Sequence, residues 1–274
     1  MKLFLGSIAI ASLIAGSAMA ADMAVKTPVY KAPTPVAAYS WTGCYVGGNV
    51  GGAWGRSDVT YTQTGAYPPL AEPADVVFAN NLGSPRLRNS GFTIGGQTGC
   101  NYQMSSLVIG LETDLNWVGV KNNYFAAGTI PVGGGGVSST VSVESNYLFT
   151  LRPRAGIAVD RALFYVTGGL AVGNEKFSQS FSHFFVNTPT SSESGSISKS
   201  KVGWTVGGGI EYAVTNNWSA KIEYLHVDLG SVNFNAANNL FPIFTASNSV
   251  YIREDIVRVG LNYKFGSGPV VANY

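Results

Sequence analysis

Apolar and polar residues alternate along most of the chain after position 40, in runs separated by stretches rich in Gly, Asn, Ser and Thr. In residues 107–117, one parity carries leucines, Ile109 and Trp117, and the other carries Glu112 and Asp114. A period of two is that of a β-strand whose two faces meet different surroundings. The pattern predicts an all-β chain, and no segment shows a convincing amphipathic-helix pattern.

The alternating runs predict eight strands. They cover residues 41–55, 91–103, 107–119, 146–158, 163–173, 200–213, 218–229 and 251–265. The gaps alternate strictly: 56–90, 120–145, 174–199 and 230–250 are long, whereas 104–106, 159–162 and 214–217 are short. Short periplasmic turns, long external loops and an even strand number are typical of outer-membrane barrels. We therefore predict an eight-stranded antiparallel up-and-down transmembrane β-barrel over residues 41–265.

The apolar parity of each strand is assigned to the outside of this barrel. The polar parity is rich in Gly and carries both signs of charge at similar depth, whereas the apolar parity ends in aromatic residues. Aromatic ends on an apolar face are typical of a lipid-facing exterior with interfacial girdles. A soluble barrel with the apolar face inside is the alternative.

Composition supports the lipid-facing assignment. Charged residues make up 12% of the chain, against roughly 25% in ordinary soluble domains. Glycine is abundant, with 34 residues, and aromatic residues reach 12%. A chain with so little charge is suited to a surface that contacts something other than water.

The polar parity predicts a charged barrel interior. Its charged members are Glu112, Asp114, Arg152, Arg154, Glu211, Lys221, Glu223, Arg258 and Lys264. An eight-stranded barrel is only wide enough for side chains to fill it, so these groups must meet. Buried charges are tolerated when they are paired. We interpret Glu112 and Asp114 as partners of Arg152 and Arg154, and not as a catalytic acid pair.

The first 40 residues do not share the strand pattern. Lys2, an apolar stretch and a small-residue site ending at Ala20 predict a secretory signal peptide over 1–20. Residues 21–40 are rich in Pro and Ala and predict a periplasmic linker, and 266–274 form a short C-terminal tail. Without the signal the chain has 16 basic and 15 acidic residues, and no basic patch argues for a nucleic-acid partner.

Several motifs carry a family resemblance. They are "WTGCYVGGNVGGAWG" (41–55), "GGQTGCNYQ" (95–103), "VIGLETDLNW" (108–117), "LRPRAGIAVDRALFYVTGGLAVG" (151–173), "WSAKIEYLHVDLG" (218–230) and "VRVGLNYKF" (257–265). In this order they resemble the small outer-membrane β-barrel proteins of alphaproteobacteria, a porin-family or OmpA-like group that includes surface antigens and hemin-binding members.

The resemblance implies an outer-membrane location, contact with outer-membrane lipids and lipopolysaccharide, and insertion by the barrel-assembly machinery. The alternating end of the chain, with Tyr263 and Phe265, resembles the C-terminal insertion signal of such barrels, although nine more residues follow here. The family fixes no substrate. We expect a mainly structural, surface-exposed protein with little solute flux, no enzyme activity and no cofactor or metal. The alternatives are a small-solute porin, or external loops that bind hemin, another extracellular ligand or a host factor.

Two cysteines lie near the periplasmic ends of the first two predicted strands. Cys44 and Cys100 both fall on the apolar parity. Antiparallel neighbours at equal depth on one face can be bridged, and the periplasm is oxidising. A Cys44–Cys100 disulfide is therefore predicted, with two inert lipid-facing thiols as the alternative.

Other reactive residues give weak signals. His183 is placed in the third long loop and His226 at the end of the seventh strand. A hydrolase site would need Ser180 or Ser182 beside a histidine, and no motif supports it. The glycine cluster at 132–137 is followed by no Lys-Ser/Thr, so it is interpreted as a flexible external loop instead of a phosphate loop.

Overall fold

The computed structural model describes residues 39–64, 72–184, 190–240 and 245–265. The predicted signal peptide, residues 21–38 of the predicted linker and the tail 266–274 lie outside the described residues. The strands are β1 Gly43–Thr64, β2 Arg86–Met104, β3 Leu107–Thr129, β4 Gly136–Val159, β5 Ala162–Phe184, β6 Ser191–Ala213, β7 Trp218–Asn238 and β8 Thr245–Lys264. A helix, α1, covers Pro73–Leu82.

The eight strands form a closed barrel in sequence order. Every strand pairs antiparallel with its neighbours, and β1 closes the ring by pairing with β8 from Tyr45 opposite Lys264 to Thr64 opposite Thr245. The predicted fold and strand number are confirmed. Within the described residues, no α-helix has both the length and the apolar composition needed to cross a bilayer.

The outer surface carries an apolar band with aromatic residues at both edges. Exposed aliphatic side chains of the band are Val46, Val50, Ile94, Leu111, Leu115, Leu151, Val166, Val206, Ile210, Ile222, Val259 and Leu261. Exposed aromatic residues at its external edge are Trp54, Phe92, Trp117, Tyr147 and Trp204, and those at its periplasmic edge are Tyr102, Tyr212, Trp218, Tyr263 and Phe265. We take the membrane-spanning segments to lie between these two aromatic girdles.

All the strands continue far beyond the external girdle, which corrects the predicted long loops. β3 ends at Thr129 instead of 119, so only residues 130–135 separate it from β4. In this external part the apolar residues change face: Val141 and Val143 point inward while Thr140 and Ser142 point outward. The reversal follows from the surroundings, because the wall faces water above the girdle and must bury its apolar residues inside.

The inward-facing apolar residues form a core within the external half of the barrel. It consists of Ala53, Val59, Leu87, Val118, Val120, Val141, Val143, Leu148, Ala171, Phe177, Leu225, Val227, Leu229, Val232, Val250, Ile252 and Ile256. The barrel therefore has a soluble-type apolar core outside the membrane and a polar interior within it.

Helix α1 corrects the prediction that the first gap is a long loop. Pro73 occupies its first turn, where a missing N–H costs no helical hydrogen bond. The buried helix residue Ala79 forms an apolar cluster with Tyr61, Ile130, Val137, Phe181 and Ala246. Because four of these residues come from the external ends of strands, α1 lies across the external opening of the barrel.

The glycine cluster is also more ordered than predicted. The Ile130 N–H donates to the Gly135 carbonyl at 3.1 Å and closes a turn, after which Gly136 and Val137 begin β4. The Asp75 carboxylate of α1 accepts hydrogen bonds from the N–H groups of Val132 and Gly133, both at 2.9 Å. This turn is therefore fixed to the helix.

Candidate functional site: the charged barrel interior

The predicted charged residues lie on inward-facing positions of β3, β4, β6, β7 and β8, and all of them except Lys264 lie at the depth of the apolar outer band. Strand register brings the partners together: Glu112 lies opposite Arg152 in the β3–β4 pair, and Glu223 lies opposite Arg258 in the β7–β8 pair. The alternation of each strand aims all of them at the barrel axis.

Arg152 lies at the centre of this interior. Its Nη2 is 2.8 Å from Glu112 Oε1 and 2.7 Å from Asp114 Oδ2, and its Nη1 is 3.2 Å from Glu223 Oε1. Its Nε donates to Thr150 Oγ1 at 2.9 Å. A single guanidinium thus joins β4 to β3 on one side and to β7 on the other.

Arg258 and Lys221 complete the middle layer. Arg258 Nη1 lies 3.0 Å from Asp114 Oδ1, and its Nη2 lies 2.6 Å from Glu223 Oε2. Lys221 Nζ lies 2.7 Å from Glu112 Oε1. Each carboxylate of this layer is therefore shared by at least two cations.

Arg154 connects the middle layer to the periplasmic part of the interior. Its Nη2 lies 2.8 Å from Glu211 Oε2, its Nη1 lies 3.3 Å from Glu112 Oε2, and its guanidinium carbon lies 4.0 Å from the centre of the Tyr165 ring. The Tyr45 hydroxyl donates to Glu112 Oε2 at 2.6 Å. Tyrosine rings therefore fill the space that the ion pairs leave.

The described ion-paired groups in this interior balance in charge. The cations are Arg152, Arg154, Lys221 and Arg258, and the carboxylates are Glu112, Asp114, Glu211 and Glu223. All eight side chains are buried. Burial of a charge is costly unless it is paired and hydrogen-bonded, and here each charge has such partners. Glu112 and Asp114 both bind Arg152, so the two carboxylates are ion-paired inside the barrel, as the sequence predicts.

An apolar band between aromatic girdles around a charged interior is the arrangement of a membrane barrel, and comparison with known proteins agrees. The family model "Outer membrane protein beta-barrel domain" matches residues 8–265. The chain belongs to this family. It is an outer-membrane protein.

Named relatives come from alphaproteobacteria. The chain is 36% identical over 258 residues to the 31 kDa outer-membrane immunogenic protein of Brucella melitensis, covering 93% of this chain and 97% of that one. It is 31% identical over 176 residues to the 22 kDa outer membrane protein of Rhizobium leguminosarum bv. viciae, covering 64% of this chain and 67% of that one. Among solved structures, Neisserial surface protein A matches with 13% identity and a TM-score of 0.30, over 82% of this chain and 98% of that one.

Lys264 of this outer-membrane barrel lies apart from the charged layers. Its ammonium donates to the Ser40 carbonyl and lies 4.2 Å from the centre of the Tyr39 ring. Within the described ranges it makes no salt bridge with a carboxylate. It therefore lies at the periplasmic end of the barrel, outside the ion-pair network that the sequence predicts for it.

The predicted disulfide and insertion-signal residues lie on the outer face near the periplasmic end. Cys44 and Cys100 are opposite each other in the β1–β2 register, with Cα atoms 4.0 Å apart, and the structure joins them by a disulfide. The Tyr263 ring lies 5.2 Å from the Trp218 ring and 5.3 Å from the Phe265 ring, measured between centres. These aromatic residues form part of the periplasmic girdle.

The structure corrects both histidine placements. His183 lies on β5, points inward and is fully buried, with its ring centre 4.9 Å from that of Phe181. His226 lies inside β7 and not at its end, with Nδ1 2.8 Å from Asp255 Oδ1. Ser180 and Ser182 point outward from β5, so the strand itself separates their hydroxyls from the His183 ring. This placement excludes a Ser–His pair between these residues, and it removes His183 from any loop surface that could bind hemin.

Sequence reasoning missed three buried glutamates in the external half. Glu193 on β6 accepts hydrogen bonds from the Tyr61 hydroxyl at 2.6 Å and the Asn238 amide at 3.3 Å. Burial raises the pKa of Glu193 and lowers that of His183 to about 4. The other two, Glu175 and Glu254, lie deeper. Continuing the strand alternation past the apolar band would have placed all three inside.

Side chains that commonly bind metals do not cluster among the described residues. In the described part of the chain, no group of three or more His, Cys, Asp or Glu side chains is placed to hold a metal ion.

Proposed function

We propose that this protein is a closed structural barrel of the outer membrane, which presents its external wall at the cell surface and conducts little or no solute. The observation that carries the proposal is the position of Arg152, whose guanidinium binds carboxylates of both β3 and β7 across the lumen. A lumen crossed by such bonds leaves no continuous water path of useful width.

The external end supports the same proposal. Helix α1 and its apolar cluster cover the opening above the charged layers, so a solute would meet two separate closures. The Brucella relatives are named immunogenic proteins. For this chain, the wall that extends beyond the external girdle is the surface that antibodies would reach.

Planar-bilayer recording of the purified, refolded protein tests the proposal. The wild-type protein should give no regular conductance steps. The variant Glu112→Ala with Asp114→Ala, which removes two carboxylates from the plug, should lower the unfolding temperature and at most open a small leak. Regular, large conductance steps in the wild type would overturn the closed barrel in favour of a small-solute porin.

Exposure of the external wall at the cell surface can be tested with antibodies. An antibody raised against the wall above the girdle, tested on intact and on permeabilised cells, should bind both equally. Binding that requires permeabilisation would contradict presentation at the cell surface.

A further inference from the structure

Five oxygen-bearing side chains surround one small cavity in the external half of the barrel. They are Ser57 on β1, Asn89 on β2, Ser145 on β4, Glu175 on β5 and Glu254 on β8. The cavity has a volume of about 10 Å³, which is close to the smallest space that holds one water molecule or ion. Its position just above the external girdle separates it from the ion pairs of the membrane-spanning interior.

Two of the oxygens at this cavity are buried and unsatisfied. Ser145 Oγ donates to Glu175 Oε1 at 2.8 Å. In contrast, Glu254 Oε2 and Asn89 Oδ1 accept no hydrogen bond from the described residues. Glu254 is only 2% exposed. A buried polar atom without a hydrogen-bond partner costs folding free energy. We therefore expect each of these acceptors to bind a further group.

The two glutamates also lack a counter-charge. Among the described residues, no Lys, Arg or His forms a salt bridge with either of them. Lys199 lies opposite Glu175 in the β5–β6 register, but Lys199 is exposed. Apolar side chains of Val120, Val143 and Ile252 line the rest of the cavity.

The electrostatics of the pair agree with a missing positive charge. Burial penalises both carboxylates, and their negative charges repel each other. Two carboxylates in an apolar layer therefore need either a proton or a cation. A proton held between the two glutamates would leave Asn89 Oδ1 unsatisfied, whereas a cation would bind that oxygen together with Glu254 Oε2.

We propose that this cavity binds one hard divalent cation, Ca²⁺ or Mg²⁺, through the carboxylates of Glu175 and Glu254, the Asn89 amide oxygen and the hydroxyls of Ser57 and Ser145. An all-oxygen ligand set is the one these cations prefer, and the two carboxylates, the amide and the two hydroxyls together offer seven oxygens, within the range of about six to eight that Ca²⁺ takes. Two carboxylates neutralise the charge of one divalent ion. Because the ligands come from five strands, the ion would hold these strands together in the external wall. The stability of the wall would then depend on divalent cations outside the cell.

The test uses the full mature protein, refolded in a non-ionic detergent so that no lipid phosphate competes for the ion. After treatment with a chelator, the protein is titrated calorimetrically with CaCl₂ and with MgCl₂, and its unfolding temperature is recorded at each concentration against NaCl of equal ionic strength. We expect one saturable site for at least one of the two cations. We also expect an unfolding temperature that rises with the logarithm of its concentration above the dissociation constant.

Matched variants assign the effect to the cavity. Glu254→Gln and Glu175→Gln keep the side-chain shape and should each weaken binding at least tenfold. Glu193→Gln alters a buried external glutamate that already has two hydrogen-bond donors, and it should keep the full cation response. Should either glutamine variant fail to fold, Asn89→Ala provides a further test, with weaker binding expected.

Two results would overturn the proposal. One is the absence of saturable binding of either cation to the chelator-treated wild type, which would mean that the glutamates hold a proton only. The other is an unchanged cation response in Glu254→Gln, which would place any bound ion elsewhere.

Discussion

Arg152 Nη2 and Asp114 Oδ2 lie 2.7 Å apart in the barrel interior, and neither side chain has any exposed surface. The same guanidinium also binds Glu112 and Glu223. One cation therefore neutralises parts of three buried carboxylates. The stability of the barrel should depend far more on this cation than on any ion pair of the outer wall.

Replacing Arg152 by Met should lower the free energy of unfolding by about 3–5 kcal/mol, because methionine keeps most of the volume but leaves buried carboxylates short of a partner. Urea unfolding of the refolded protein, followed by tryptophan fluorescence, measures the change. The control is Arg86→Met, which breaks an exposed pair with Asp58 and should cost about 0–1 kcal/mol. Equal losses in the two variants would contradict a special role for the interior network.

Much of this interior could be predicted from the sequence, since strand alternation alone separates Glu112 and Asp114 from Leu111 and Leu115. A period of two fixes which residues share a face, and an eight-stranded barrel has only one narrow interior. The alternation could not show that Arg152 reaches Glu223 across the lumen, because that contact depends on how side chains fill the space. Nor could it show that Lys264 bends toward Ser40 at the periplasmic end.

The external half was predicted poorly for a physical reason. Strand prediction followed the apolar parity, and the apolar residues move to the opposite parity where the outside changes from lipid to water. On β5, Val166 and Leu170 point outward in the apolar band, whereas Phe177 and Phe181 point inward above it. The outward apolar pattern therefore ends at the girdle, and His183 falls in a predicted loop. Helix α1 was missed because its apolar residues Val76, Val77 and Phe78 are consecutive and form no helical stripe.

Gly51→Ala should prevent folding or cost at least about 3 kcal/mol, more than most overpacked core substitutions. A Cβ atom at this inward position would lie 2.2 Å from the Val257 carbonyl oxygen and 2.7 Å from the Arg258 Cα, both on the paired strand β8. Gly48→Ala is the matched control on the same strand, because its Cβ would point outward with the nearest atom at 3.7 Å. The fraction of compact protein on an unheated gel measures the folding of both variants. A fully compact Gly51→Ala sample would show that β1 and β8 can separate to admit the methyl group.

Replacing both Cys44 and Cys100 by Ala should lower the free energy of unfolding by about 2–4 kcal/mol, since a bridge across 56 residues restricts the unfolded chain. The assembled barrel should keep its closed β1–β2 pairing, because the register there runs from Gly43 to Asp58. Chemical unfolding with and without a reductant measures the change in the free energy of unfolding. Mass spectrometry after thiol alkylation of the unreduced wild type provides the direct check, and two alkylated cysteines would show that the bridge does not form in the cell.

His183 should make the barrel less stable as the pH falls from about 6.5 to about 4. Burial lowers the pKa of its imidazole to about 4 in the folded state, whereas an unfolded histidine titrates near about 6.5. Between these values the unfolded chain binds the proton and the folded barrel does not, so the His183 contribution to stability is complete above about pH 6.5. It is lost by up to about 1.4 kcal/mol per pH unit on acidification.

Unfolding at several pH values between 7 and 4.5, compared for wild type and His183→Gln, isolates this contribution from that of the carboxylates. Glutamine cannot take up the proton, so the variant should show a shallower loss of stability on acidification. Ser182→Ala, which changes the adjacent outward-facing residue, should keep the wild-type slope. Parallel curves for wild type and His183→Gln would mean that the buried imidazole is protonated in the folded barrel, with a carboxylate such as Glu193 close enough to neutralise it.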